Sequence, residues 1–202
     1  FSGYFPEEPG VQQFGEKIQN IKKDLQARAL FYKGRQFFEK GELGKAKVYF
    51  NNLIENHPHS RYAEESAGLI VLIKEMPAKL KEIEDKLNNC LPKEARKLLS
   101  ELKKEIPRAP DYAELENRIS GLEKNIEDIK AYIEDAGRCM DLKKWEEAAE
   151  LLKKAKDSSE KIKWNIHDFA EIERKCKFGL GMKRVDDAIK EREFEGALEY
   201  LV

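Results

Sequence analysis

The chain has 202 residues, 38% charged and 41% hydrophobic, and its 38 Lys and Arg against 39 Asp and Glu leave a formal net charge of −1. That much apolar material argues against disorder, and the charge balance excludes a global basic field for nucleic acid or anionic lipid. No apolar run approaches the roughly 18 residues needed to cross a bilayer.

Residues 1–10 hold two Pro and two Gly and read as an irregular lead-in. From Val11 the pattern turns helical: Val11, Phe14, Ile18, Ile21 and Leu25 recur at helical spacing. This face is expected to be buried and to continue through Leu30 and Phe37 to a stop at Gly41. A short helix follows over about Leu43–Glu55, with Ala46, Tyr49, Phe50, Leu53 and Ile54 inward, and Pro58 ends it. A long helix is expected from about Ser60 to Asn88, with Ala67, Ile70, Ile73, Leu80, Ile83 and Leu87 inward and Pro77 kinking or splitting it. Pro92 opens a second short helix that ends before Pro107. The third long helix has the cleanest period, through Leu115, Ile119, Leu122, Ile126, Ile129, Ile133, Ala136 and Met140. A third short helix carries Trp145, Ala148, Leu151, Leu152 and Ala155. The fourth long helix is expected from near Ile162, with Ile166, Phe169, Ile172, Cys176, Val185 and Ile189 on it. The last short helix starts near Phe194 and stops within two turns, so the fourth unit reads as truncated.

One alanine recurs through this series: Ala46, Ala95, Ala148 and Ala197, at intervals of 49, 53 and 49 residues. Each follows an apolar residue three positions earlier and precedes an apolar pair. An aromatic-Ala-Glu step echoes it at Tyr62, Tyr112 and Phe169. A small residue recurring at a period near 50 marks close helix contacts in a helical array. No period-2 alternation or βαβ rhythm is present, so the fold class is all-α. Residues 11–202 read as a single repeat domain with units of about 11–58, 59–107, 108–160 and 161–202.

Residues 27–60 resemble the tetratricopeptide repeat at its full length: Leu30, Gly34, Phe37, Gly41, Leu43, Ala46, Phe50 and Pro58 match in type and spacing. The resemblance implies a right-handed superhelical stack of antiparallel hairpins, here with elongated first helices. Ala95 and Pro107 keep the spacing of Ala46 and Pro58, whereas Glu160 stands where the third unit would have its proline. The stretch Pro58-His59-Ser60-Arg61-Tyr62-Ala63 is similar to bacterial envelope members, including the lipoprotein of outer-membrane β-barrel assembly, which implies a periplasmic or envelope location. The chain begins at Phe1 and not at Met, so it reads as a processed or trimmed product from which a signal or anchor would already be gone.

By the same resemblance Arg28, Phe31, Arg35, Phe38 and Glu39 would line a concave groove, where aromatic and Arg side chains anchor a peptide or a partner helix. The plainer alternative is that Phe31 and Phe38 pack on a neighbouring helix. The Lys and Asn set with which chaperone-binding members grip a carboxylate is unmatched, since Phe31 and Arg35 stand there.

The remaining features offer little chemistry. His57-Pro58-His59 lacks further ligands for a metal. Phe178-Gly179-Leu180-Gly181 follows no strand, so its glycines read as bending a helix or admitting a close neighbour. Cys90, Cys139 and Cys176 are widely spaced and read as unpaired structural thiols, weakly favouring a reducing compartment. No catalytic order, cofactor motif or small-molecule site stands out, and Lys153-Lys154-Ala155-Lys156 is too short to point to RNA. The expected function is a non-enzymatic scaffold for a protein or peptide. The alternative is a homo-oligomer joined through long-helix seams, such as that of Ile126 and Ile133, or through stacked array ends.

Overall fold

The structure, a computed structural model, describes the backbone of residues 9–190 and the side chains of residues 13–190. All regular structure there is α-helical: α1 (Pro9–Glu39), α2 (Leu43–Asn56), α3 (Ala63–Asn88), α4 (Pro92–Glu105), α5 (Tyr112–Asp141), α6 (Trp145–Ile162) and α7 (Phe169–Lys190). The expected last short helix, with Ala197, lies outside the described residues, as do residues 1–8 of the lead-in. The chain divides into two compact units, Phe1–Asp85 with Glu94–Glu116 and Lys86–Lys93 with Asn117–Val202.

One turn geometry ends the long helices. At the end of α1 the Gly41 N–H donates to the Phe38 carbonyl (3.0 Å) and the Glu42 N–H to the Phe37 carbonyl (2.9 Å), with Gly41 left-handed at φ 78°. This pair of bonds satisfies carbonyls that a helix end otherwise leaves open. The same pair closes α3, from Cys90 to Leu87 and from Leu91 to Lys86, and closes α5, from Lys143 to Met140 and from Lys144 to Cys139. Cys90 and Lys143 are left-handed too, at φ 56° and 59°. Each of these three residues stands five positions before a recurrent alanine, and Ala46, Ala95 and Ala148 are all fully buried. The period read from the alanines is thus also a period of chain reversals. Only Gly41 was visible as a stop. A Cβ there would lie 2.8 Å from the Arg108 carbonyl oxygen, whereas Cys90 and Lys143 carry the left-handed strain, about 1 kcal/mol each.

In the first unit α1 and α2 form an antiparallel hairpin. Ala27, Phe31, Gly34 and Phe38 form the buried stripe of α1. A Cβ on Gly34 would stand 2.5 Å from the fully buried Phe50 ring, so glycine sets how near the helices come. Phe37 stacks on Tyr49 at 5.3 Å at the hairpin edge. The expected inward face of the N-terminal half is not inward: Phe14, Ile18, Ile21 and Leu25 are exposed, and Leu30 and Phe37 are only half-buried. The reason is length. At 1.5 Å per residue α1 runs about 46 Å and α2 about 21 Å, so the shorter helix covers only the C-terminal part of the longer.

Two further corrections concern α3. Pro77 does not divide it; the helix is one element, and Pro77 lies on its exposed side, where water can reach a carbonyl deprived of its N–H partner. Ala67 is exposed, while Ser66 and Met76 join Ile70, Ile83 and Leu87 inside. The Ser66 hydroxyl is buried with no hydrogen-bond partner. α4 runs from Pro92 to Glu105 with Ala95, Leu99 and Leu102 buried, and ends before Pro107. On α5 the expected stripe faces inward: Leu115, Ile119, Ile129 and Ala136 are buried, and Leu122, Ile126, Ile133 and Met140 half-buried.

In the second unit Ala136, Ala148, Leu152 and Cys176 join α5, α6 and α7 in one core, flanked by Met140, Phe169, Ile172 and Leu180. α6 has 18 residues where α2 and α4 have 14. With Glu160 in place of proline nothing stops it until Lys163 turns left-handed at φ 55°. The fourth long helix therefore starts at Phe169, not near Ile162, and Ile166 lies in the connection. Gly179 admits a close neighbour: a Cβ there would run into the Trp145 ring. All three cysteines are unpaired. The Cys90 thiol donates to the Ile162 carbonyl (3.1 Å) and the Cys176 thiol to the Trp145 carbonyl (3.6 Å). Burial pushes both thiols up.

Two substitutions test this geometry by urea unfolding. Gly34→Ala should lower stability by about 1–3 kcal/mol, because Phe50 has no space to retreat. Lys143→Gly should raise it by up to about 1 kcal/mol, since the exposed side chain contributes less than its left-handed strain costs.

Candidate interaction face on the first hairpin

The C-terminal half of α1 presents two stripes, one residue apart around the helix. Of the five residues expected in a groove, Phe31 and Phe38 belong to the buried stripe and support the hairpin from within. Arg28, Arg35 and Glu39 are exposed and lie on the other stripe, together with Tyr32. Gly34 and Ala46 are buried beneath this face, and Pro58 and Pro107 are exposed just beyond the ends of α2 and α4.

The exposed face is built on a stack of rings. Phe31 lies parallel to Tyr62 at 4.9 Å and edge-on to Tyr32 at 5.7 Å, and Tyr32 meets Tyr62 at 6.3 Å. Three arginines surround this stack. The Arg28 guanidinium lies 5.6 Å from the Tyr32 ring centre, that of Arg35 lies 6.0 Å from Phe31, and that of Arg61 lies 4.8 Å from Tyr62. Arg61 Nη2 also donates to the Tyr62 hydroxyl at 2.6 Å, which raises the Arg61 pKa further. Arg35 is matched by Glu65 of α3 (3.3 Å) and by Glu39 (3.5 Å). Arg28 and Arg61 form no ion pair among the described residues. The outcome is an exposed tyrosine on a buried aromatic base, beside two guanidinium groups that form no contact ion pair, with the Asp24 carboxylate acting on Arg61 from further off.

Tyr32 and Arg61 were missed by sequence reading. The aromatic-Ala-Glu echo pointed to Tyr62, and that step proves to mark the start of α3, α5 and α7 alike. Its second instance is purely structural. The buried Tyr112 hydroxyl donates to the Ile106 carbonyl at 3.0 Å. Burial pushes the Tyr112 hydroxyl up to about 12, and the charges of Glu105 and Asp111 act the same way.

Other expected features come to little. His57 is half-buried and His59 exposed at the turn after α2, and His167 is exposed beside Asp168. Among the described residues no three His, Cys, Asp or Glu side chains converge to hold a metal ion, and no helix is long and apolar enough to cross a membrane.

This hairpin is of a class that buries a small-residue contact and leaves a polar and aromatic helix face outward. In agreement with that, residues 28–60 match the family model of the tetratricopeptide repeat, over about one sixth of the chain. Comparisons with curated proteins and with solved structures return no match. The match is to the repeat itself and lends no support to a link with the envelope lipoproteins. Repeats of this family generally mediate contacts between proteins and are typically not catalytic.

The burial of the Tyr112 hydroxyl sets a pH dependence. The folded state holds the neutral phenol above its ordinary value near 10, so the contribution is complete below about pH 10 and is lost as pH rises through about 12. Wild type should therefore lose more stability than Tyr112→Phe between these values. At neutral pH Tyr112→Phe should be less stable by about 1–3 kcal/mol, with the Ile106 carbonyl left without its donor. Chemical denaturation across the pH range measures both.

Proposed function

We propose that the chain is a non-enzymatic interaction scaffold that takes a partner polypeptide on the exposed face of the first hairpin. The observation that carries this reading is Tyr32, exposed between Arg28 and Arg61 on the Phe31–Tyr62 base. Tyr and Arg are the side chains most enriched where binding energy concentrates, and a rigid base lowers the ordering cost of using them. Two guanidinium groups without a contact ion pair suit a segment with acidic residues beside an aromatic or aliphatic anchor. Arg35 and Glu39, already paired, would position the edge of the face, and Phe31 and Phe38 would hold it from below. Residues 11–202 then read as one run of related hairpin units, which the recurring turns at Gly41, Cys90 and Lys143 support.

A display library of peptides selected on the full chain tests this. Binders should be acidic with an apolar anchor. Tyr32→Ala combined with Arg28→Ala should weaken them at least about ten-fold, or 1.4 kcal/mol, with the melting temperature unchanged. The reading fails if no peptide is selected, or if binders ignore both substitutions.

A further inference from the structure

The N-terminal half of α1 carries an apolar stripe that nothing in the described chain covers. Phe14 is 68% exposed, Ile18 42%, Ile21 61% and Leu25 56%. Their spacing of 4, 3 and 4 is that of a coiled-coil seam over two heptads. The buried stripe of the same helix, traced back from Ala27, reaches Asp24, Asn20 and Gln13, all polar. Apolar character thus shifts by one residue position, roughly 100° around the helix, halfway along α1. A contiguous exposed apolar patch of this kind marks a contact with another molecule.

The flanking charges indicate which molecule. With Ile18 and Leu25 at a and Phe14 and Ile21 at d, the positions beside the seam are Gly15, Lys17, Lys22 and Asp24. A second copy aligned in parallel would set Lys17 against the partner's Lys22 on both sides. An antiparallel copy with Ile18 opposite the partner's Ile21, and Phe14 opposite the partner's Leu25, sets Lys17 against the partner's Asp24. Two-fold symmetry makes that pair twice, and Gly15 then meets the partner's Lys22 without conflict. Sliding one heptad toward the N-terminus would bring Lys17 onto the partner's Lys17. The stripe is therefore self-complementary in one orientation and one register, by charge as well as by apolar pattern.

We infer that α1 pairs with α1 of a second copy of this chain in an antiparallel two-fold seam over Phe14, Ile18, Ile21 and Leu25, registered by Lys17 and Asp24. The seam lies on the same line of α1 as Arg28 and Tyr32, and this register brings the partner's Val11 level with Arg28, so the seam and the proposed peptide face adjoin.

Sedimentation equilibrium of the full chain decides the matter. The weight-average mass should rise from 23.5 kDa toward twice that value between about 1 and 200 µM, the range in which a short seam associates. Ile18→Asp with Ile21→Asp should keep it monomeric with unchanged helicity, since both side chains are exposed. Lys17→Glu alone and Asp24→Lys alone should each weaken association about ten-fold or more, and the two together should restore it. A mass that stays at 23.5 kDa overturns the inference and leaves the stripe to a different partner. So does a dimer that survives the Asp pair, a stronger dimer from Lys17→Glu alone, as the parallel form would give, or a charge exchange that fails to restore association. The Ile18→Asp, Ile21→Asp chain keeps Arg28 and Tyr32 and forms no seam, so peptide binding measured on it lets either proposal fail alone.

Discussion

The closeness of approach between paired helices is the constraint on which the rest of this molecule depends. At Gly34 the opposing Phe50 ring occupies the space where a Cβ would be, and at Gly179 the Trp145 ring does the same. At Ala46, Ala95 and Ala148 a methyl group is all that is present, and it is fully buried. Interiors at crystal-like density cannot open by a methylene without losing contacts elsewhere. The small residues therefore fix the hairpin spacing, and the spacing fixes which larger side chains are left outside. Tyr32 is exposed because Phe31, one position earlier, is held against Phe50 and Tyr62.

The chain reversals serve the same constraint. A small residue can meet its neighbour only if the second helix starts at a set distance from the end of the first. The left-handed residue five positions before each alanine supplies that distance. Glycine does so at Gly41, where the Arg108 carbonyl leaves no room for a side chain. At Cys90 and Lys143 the turn geometry is kept although the residue type disfavours it, which suggests that the packing of the following alanine outweighs a local cost of about 1 kcal/mol.

α1 has two differently patterned halves because it is longer than its partner. Its C-terminal half is a conventional hairpin helix with a buried stripe and an outward aromatic–arginine stripe. Its N-terminal half extends past α2 with an apolar stripe in line with the outward stripe and one residue position away from the buried one. A helix with two apolar stripes offset in this way has little net amphipathicity along its whole length, and each half must be read separately.

Helix type and the approximate limits of α2 to α5 were legible in the sequence, because apolar spacing, Gly41, Pro58, Pro92 and Pro107 are local signals. The burial of Ala46, Ala95 and Ala148 was legible as well, since a small residue kept amid larger apolar ones has few other physical uses. Only the tertiary structure decided which apolar residues have something to pack against. Phe14, Ile18, Ile21 and Leu25 are as periodic as the α5 stripe, yet they are exposed, because burial needs a neighbour and α2 is too short to supply one. It also decided that Phe31 supports the face while Tyr32 presents it. Adjacent positions on a helix differ by about 100°, and which of the two directions is inward is set by Phe50 and Tyr62, residues distant in sequence that meet α1 only in the folded hairpin.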